Sequence, residues 1–328
     1  MPHVFDVISI GSAFADIFAR SSQISIVDDP SAESGRSIRM PLGAKLDIET
    51  LRHELGGGGA NTSVCFARLG FTAAVLARVG TDPAGGDTLR ELGKRNVSIE
   101  RVVHDTSLPT SRSVILLAPN GDRTIMAYRG TGANFHPEDI DTAWLSRSRW
   151  LYVSSIGGSL PTLQRIFEVC RVNPVKIAWN PGALELAYGM ETLYPLLQQT
   201  DALLLNREEA AELTNLPHHS VDDVMKELIA AVGSGYVVVT NGADGASAFD
   251  GLRVASIPGR KVDVVDTTGA GDSFGSGFAA AIMRGRSMEA ALAFAAANAE
   301  SVIGFIGAHP GLLNRDDFER ITTSDIAT

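Results

Sequence analysis

The sequence predicts an α/β protein built on a mainly parallel central sheet, with a smaller β-sheet beside it. Three observations carry that expectation. From residue 150 onward, short apolar runs alternate strictly with helical patterns, which implies parallel strands joined by crossover helices. Two glycine-rich turns, Leu55–Ser63 and Asp266–Gly277, each run into a helical pattern. Between them, the β-patterned runs Ser113–Leu117 and Arg123–Tyr128 flank Asn120-Gly121, a strong hairpin signal.

Composition narrows the function. The chain has 328 residues, enough for one large α/β domain or two modest ones, and no repeat or linker divides residues 1–328. A formal net charge of −10 argues against a nucleic-acid partner, which needs a basic face. No apolar run is long enough to span a bilayer, and the N-terminus lacks the basic-then-apolar pattern of a leader, so no membrane partner and a cytoplasmic address are expected. Cys65 and Cys170 sit in apolar helical contexts and read as free thiols of a reducing compartment.

Taken in order, Val4–Ile10 reads as a buried first strand that ends at Gly11-Ser12. Asp16 follows it. Two readings are open: a solvated loop acid, or a carboxylate at the carboxyl end of a strand, where open α/β sheets bind ligands. Residues 21–50 are irregular, with β-like alternation at 37–40 and 45–48 that suggests small hairpins outside the main sheet. Four glycines, Gly56 to Gly59, precede a helix expected over 63–69. Such a run is costly unless the backbone bends sharply or touches a ligand, and close approach to a ligand is the preferred reading over a hinge. Asn61 would then turn an amide able to donate and accept toward that ligand. A strand is expected over 71–79, a turn with solvated Asp82 over 80–82, and a helix over 87–95.

In the C-terminal half the strand runs are 150–153, 176–179, 202–205, 236–240 and the apolar stretch 262–265 before Asp266. The helices between them are 160–171, 190–199, 208–213 and 221–231. The strand ends carry Asn180, Asn206, Thr240 and Asp266, which this architecture gathers in one crevice. Asn206 and Glu209 have the spacing of a capping box, or could hold Mg²⁺ through its waters beside a phosphate. Thr240 to Gly245, with Gly242 between, reads as a turn able to flank a flat base. His218-His219 reads as a loop, not a metal site. The helix 287–303, N-capped by Ser287, has an alanine face suited to close packing on the helix after Asp272.

The chemistry is placed at Gly269-Ala270-Gly271-Asp272. Small residues at the mouth of a helix leave N–H groups bare, and the helix dipole adds positive potential, so the segment suits a phosphate. A carboxylate there repels a resting phosphate. It makes sense as the base that takes a proton from a hydroxyl attacking that phosphate.

With these residues in hand, the chain resembles the ribokinase-like (PfkB) family of carbohydrate and nucleoside kinases over nearly its whole length. Leu55–Gly70 (LGGGGANTSVCFARLG) is similar to the first family signature and Asp266–Phe278 (DTTGAGDSFGSGF) to the second. Asn206–Glu209 is similar to the N-x-x-E motif, and Thr240–Gly245 to the nucleotide-side turn. The resemblance implies a three-layer sandwich with a β-sheet lid formed by segments of about 13–50 and 106–130. It implies ATP-dependent phosphorylation of a sugar-like hydroxyl, with Asp272 as base and the N–H groups of Gly269, Ala270 and Gly271 as anion hole. Asn206, Glu209, Thr240, Gly242, Gly245 and Asn298 would serve ATP, with Glu209 holding Mg²⁺ through water. Asp16, Gly57, Gly58 and Asn61 would hold the acceptor, and Asp266 would lie where several members bind a monovalent cation such as K⁺. Lid-to-lid pairing would make a homodimer. Gly58 stands where ribokinases typically carry Lys, which leaves the acceptor open, and Arg112, Arg123 and Arg129 in the lid leave room for a phosphorylated one. The alternatives are an adenosine-like nucleoside kinase and a catalytically silent sugar- or nucleotide-binding regulator. A dinucleotide oxidoreductase is disfavoured, because Ile10–Asp16 lacks the G-x-G-x-x-G fingerprint.

Overall fold

The computed structural model describes residues 3–32, 35–117, 123–217, 221–233 and 235–324. β1 (Phe5–Ile10) starts the main sheet. The chain then leaves it for β2 (Phe14–Arg20), a small hairpin of β3 (Ser25–Asp28) and β4 (Arg36–Arg39), and β5 (Thr50–Gly56). α1 (Gly58–Arg68) returns it to β6 (Ala73–Leu76), parallel to β1. β7 (Arg78–Gly80) leads into α2 (Pro83–Lys94) and pairs with β8 (Val103–Asp105), before β9 (Arg112–Leu117) and β10 (Arg123–Tyr128). After the short α3 (Thr142–Leu145), strands and helices alternate: β11 (Ser148–Val153), α4 (Leu160–Val172), β12 (Lys176–Trp179), α5 (Ala183–Leu186), α6 (Gly189–Leu197) and β13 (Ala202–Asn206). α7 (Arg207–Thr214) and α8 (Val221–Val232) precede β14 (Tyr236–Thr240), and β15 (Ala246–Phe249) and β16 (Val254–Ile257) follow it. α9 (Ala270–Met283), α10 (Met288–Val302) and α11 (Arg315–Ser324) end the chain.

The main sheet has eight strands in the order β16-β15-β14-β13-β12-β11-β1-β6; all neighbours are parallel except at β15 and β16. Its strands are apolar on both faces, as a sheet covered on both sides requires. Val7, Val75, Tyr152, Leu204 and Val238 point into one core, closed by α1, α9, α10 and α11. Their neighbours Ile8, Leu151, Val153, Leu203 and Val237 point into the other, under α4, α6 and α8. Period-2 alternation thus sorts one strand set into two cores. Among the described residues no helix is long and apolar enough to cross a membrane.

The small sheet runs β10-β9-β2-β5. It has little core of its own: Phe18, Ile115 and Leu117, with Ile306 against them. Three of its strands follow the expected segments. The fourth, β5, lies at 50–56, beyond the expected boundary, while 45–48 is no strand. The expected Asn120-Gly121 turn lies outside the described residues, as does His218-His219.

Four other expectations change. The 71–79 run is two strands, because Ala77 O accepts from Val103 N (2.8 Å) and draws the second half toward β8. The expected turn over 80–82 leads straight into α2, which starts at Pro83 and not at 87, and Asp82 before it is paired with Arg112 (2.6 Å) instead of solvated. α1 begins at Gly58, so the glycine run enters the helix. The apolar 262–265 run is an exposed loop and not a strand: β16 already forms the sheet edge, and the loop's backbone is held by Ile303 O, which accepts from Val265 N (2.8 Å).

Candidate active site

α9 starts at Gly269, which adopts the left-handed conformation (φ 75°), and a Cβ there would lie 2.4 Å from that of Ala308. Only glycine fits this bend. Helix geometry leaves first-turn N–H groups without an intrahelical acceptor. The N–H of Ala270, however, turns back to Thr267 O at 3.2 Å, so Ala270 is not the free anion-hole donor the motif suggests. Gly271 faces open space: a Cβ there would meet nothing within 4 Å.

Asp272 stands one residue on. Asn61 Nδ2, from the second turn of α1, donates to its Oδ2 at 2.7 Å. Burial pushes the Asp272 carboxyl above the usual carboxylate range, and the Asn61 bond pulls against that shift. Asn61 is itself buried, and its Oδ1 has no partner. Asp16 shares this feature: it is 6% exposed and its Oδ1 is unpartnered. It lies within β2, a buried position on a strand of the small sheet, so it is neither a solvated loop acid nor at the carboxyl end of a main-sheet strand. Burial pushes it up to about 6; hydrogen bonds to Ser113 oppose that, and the charges of Asp266 and Glu54 add to it.

The glycine run links the two acids. A Cβ at Gly56 would meet Asp16 Oδ2, and one at Gly58 would lie 2.7 Å from Ser154 Oγ and 3.4 Å from Asp272 Oδ1. At Gly57 (φ 93°) and Gly59 the close approach is to the chain itself, to Ser12 O and Gly11 O, both at 2.6 Å. The glycines therefore serve the tight seating of α1 on the loop after β1, and only Gly58 borders the site at Asp272. Ser154, which sequence reasoning missed, fills the space a side chain at position 58 would take. Its signal is the Ser154-Ser155 pair at the end of a buried strand.

On the other side, Asn206 and Glu209 form a reciprocal capping box: Glu209 N donates to Asn206 Oδ1 and Asn206 N to Glu209 Oε2, both at 2.8 Å. The cap and the site coincide, for both residues line a small cleft with Asn180, Thr240, Gly271 and Phe274. Burial, and then the charges of Glu208 and Asp272, raise Glu209. Beyond Thr240 a cavity of about 320 Å³ is bounded by Arg207, Asn241, Asp244, Gly245, Ser256 and Pro258. Gly245 lets two turns touch, since a Cβ there would lie 2.0 Å from Ile257 O; Gly242 meets nothing. Arg207, with its buried Nε unpartnered, is a second cavity residue the sequence did not single out.

Two expected site residues are taken up by contacts within the protein. Asn298 is fully buried, with Nδ2 donating to Ser273 O (2.8 Å) and Oδ1 accepting from Leu313 N (3.0 Å). Its amide ties α9 to the segment before α11 and cannot face a nucleotide. Asp266 is 2% exposed, and its Oδ1 accepts from Thr268 N (3.0 Å) and Thr268 Oγ1 (2.7 Å). Oδ2 accepts from Gly307 N (2.9 Å), and Arg123 Nε stands 3.6 Å from Oδ1. The carboxylate already has a guanidinium beside it, so a monovalent cation does not fit at Oδ1 without displacing Arg123. Mg²⁺ fits better: among the described residues no His, Cys, Asp and Glu cluster makes a metal cage, but Glu209 and Asn206 offer oxygens to an ion that keeps its waters.

Comparison with known proteins agrees with this geometry. The Arabidopsis thaliana protein named ribokinase is 29% identical over 323 residues, 95% of this chain and 80% of the relative. The Salmonella typhi protein named deoxyribokinase is 25% identical over 295 residues, 88% of this chain and 89% of that one. The fold is shared with a putative ribokinase II from E. coli, solved in complex with ATP and Mg²⁺, at a TM-score of 0.79 and 20% identity, covering 98% of this chain and 100% of that one. Residues 26–314 match the pfkB family of carbohydrate kinases, and the chain belongs to that family.

Proposed function

We propose that the protein transfers the γ-phosphoryl group of ATP to a hydroxyl of a small, unphosphorylated sugar, with Asp272 taking the proton. Its family makes it a phosphotransferase with an alcohol acceptor. The observation that carries the acceptor reading is the pair of buried, unpartnered oxygens, Asp16 Oδ1 and Asn61 Oδ1, on the approach to Asp272. Buried acceptors without donors are costly, and a polyol supplies donors at neighbouring carbons.

Asn61 holds Asp272 in one orientation while Asp16 and Asn61 Oδ1 take the acceptor's hydroxyls. Asp272 receives the proton of the attacking hydroxyl, and its raised affinity for protons makes it a better base than a solvated carboxylate. The dipole of α9, at whose mouth Gly271 leaves open space, stabilises the charge developing on the transferring group. Glu209 and Asn206 would hold Mg²⁺ through water, and the ion would neutralise charge on the phosphates. The cavity between Arg207, Asn241 and Pro258 would take the base.

The names of the relatives make pentoses and deoxypentoses the first acceptors to screen. A phosphorylated acceptor is disfavoured because two of the three lid arginines are committed: Arg112 to Asp82 (2.6 Å) and Arg123 to Asp266 and Thr267. The small sheet would serve as the lid over this acceptor, within a single kinase domain. Its outer face, opposite Asp16, carries Leu51, Met126 and Tyr128 exposed, which supports pairing of two lids in a homodimer. The free thiols of Cys65 and Cys170 support a reducing, cytoplasmic setting.

A coupled ADP assay over sugars, sugar acids and nucleosides tests the reading. Asp272→Asn should lower kcat by about 10³-fold, the range for losing a general base, while ATP still binds. Near-normal turnover would overturn Asp272's role. Tight ligand binding without transfer by the wild type would mark a silent regulator instead.

A further inference from the structure

Arg123 is the first residue of β10, at the edge of the small sheet. Its guanidinium crosses to the loop that opens α9. Nε faces Asp266 Oδ1 at 3.6 Å, and Nη2 donates to Thr267 Oγ1. Asp266 organises that loop through Thr268 and Gly307, one residue before Thr267 and three before Gly269. The side chain of Asp266 is wholly buried, and a buried carboxylate needs both hydrogen bonds and a countercharge. Three donors supply the first and Arg123 supplies the second. The countercharge therefore arrives on the same sheet that carries Asp16.

We propose that Arg123 is a positioning residue: its guanidinium takes the place of a monovalent cation beside Asp266, so that seating the small sheet sets the loop leading to Gly269–Gly271. This rests on the kinase reading above. Two consequences follow from the geometry. The enzyme needs no K⁺, because the charge a cation would neutralise is already paired. Removing Arg123 leaves a buried carboxylate uncompensated beside a polar loop, a place a weakly hydrated cation can enter.

The test compares wild type, Arg123→Gln and Arg123→Lys in K⁺, Li⁺ and tetramethylammonium salts at equal ionic strength. Wild-type kcat should change by less than about twofold between salts, and R123Q should lose about tenfold or more, as misplaced catalytic groups do. K⁺, and not Li⁺ or tetramethylammonium, should restore part of the R123Q loss. R123K, which keeps the charge, should remain indifferent to the salt. Two readouts do not need turnover: the melting temperature, and hydrogen exchange of the 266–272 backbone. Both should be insensitive to K⁺ in wild type, depressed in R123Q, and selectively recovered there by K⁺. Strong K⁺ activation of the wild type, or an R123Q variant that matches wild type in rate, melting and exchange, would overturn the proposal. If the wild type phosphorylated no acceptor in any salt, the kinase reading would fail, while melting and exchange would still decide the role of Arg123.

Discussion

Asp16 carries two opposed roles that a single substitution separates. Its carboxyl is lifted to about 6 from an ordinary 3.8, chiefly by burial, against the pull of Ser113. The folded chain therefore holds a proton between about 4 and 6 that the unfolded chain has already released, so Asp16 costs stability as pH rises through that window. The full cost, of order 3 kcal/mol at most, is present above it and absent below. Asp16→Asn should thus raise the melting temperature at pH 7 and leave it little changed at pH 4. The same substitution removes a charged acceptor from the sugar side, so acceptor KM should rise by about tenfold or more. Below pH 6 the wild type should lose acceptor affinity as Asp16 is protonated, a limb missing from the D16N profile. A variant that is both less stable at pH 7 and unchanged in KM would refute both roles. The residue is costly to the fold, a cost that the proposed acceptor contact would explain.

At the scale of elements, α9 is built for close approach. A Cβ at Gly275 would fall 2.3 Å from the hydroxyl oxygen of Tyr152, a buried group with no partner. Gly275→Ala should destabilise by about 1–3 kcal/mol through overpacking, as in other filled cores. Tyr152→Phe removes both the clashing atom and an unsatisfied polar group, so alone it should be neutral or mildly stabilising. In the double variant most of the G275A cost should vanish, a coupling measurable by chemical denaturation of all four proteins. Additive effects would show that α9 meets the sheet elsewhere. None of this was legible in the sequence, because Gly275 and Tyr152 belong to different motifs and meet only in space. What was legible is local. The Asn206–Glu209 box, the Gly269 bend before Asp272 and the apolar strand runs each depend on a few adjacent residues, and the structure has them. Asn298 and the 262–265 run were misplaced for one common reason: their partners, Leu313 and Ile303, lie outside the local patterns, and Arg123, the countercharge of Asp266, comes from the small sheet. The glycine run was expected to approach a ligand, whereas at Gly57 and Gly59 the close approach is to the chain's own loop after β1.

For the whole molecule, stability is unevenly shared between the two sheets. The main sheet lies between two large apolar cores, whereas the small sheet rests on Phe18, Ile115 and Leu117 with Ile306. Regions with so little buried apolar surface open well below the global unfolding free energy. Amides of β2, β5, β9 and β10 should therefore exchange faster than those of β11 to β14, and a bound acceptor should slow them selectively. The outer face of that sheet is apolar as well, with Met126 52% and Tyr128 50% exposed on β10 and Leu51 on β5. A sheet weak in its own core and apolar outside is stabilised by covering that face with a second copy. In the dimer the lid would be ordered partly by its partner, so assembly and acceptor affinity become linked. Met126→Asp places a charge in the middle of the contact. By light scattering coupled to size exclusion it should be a monomer, against the dimer proposed for wild type. Its small-sheet amides should exchange faster and its acceptor KM should rise, while the exchange of β11 to β14 stays as in wild type. A wild-type protein that is monomeric at assay concentration, with M126D unchanged in KM, would show that the lid stands without a partner.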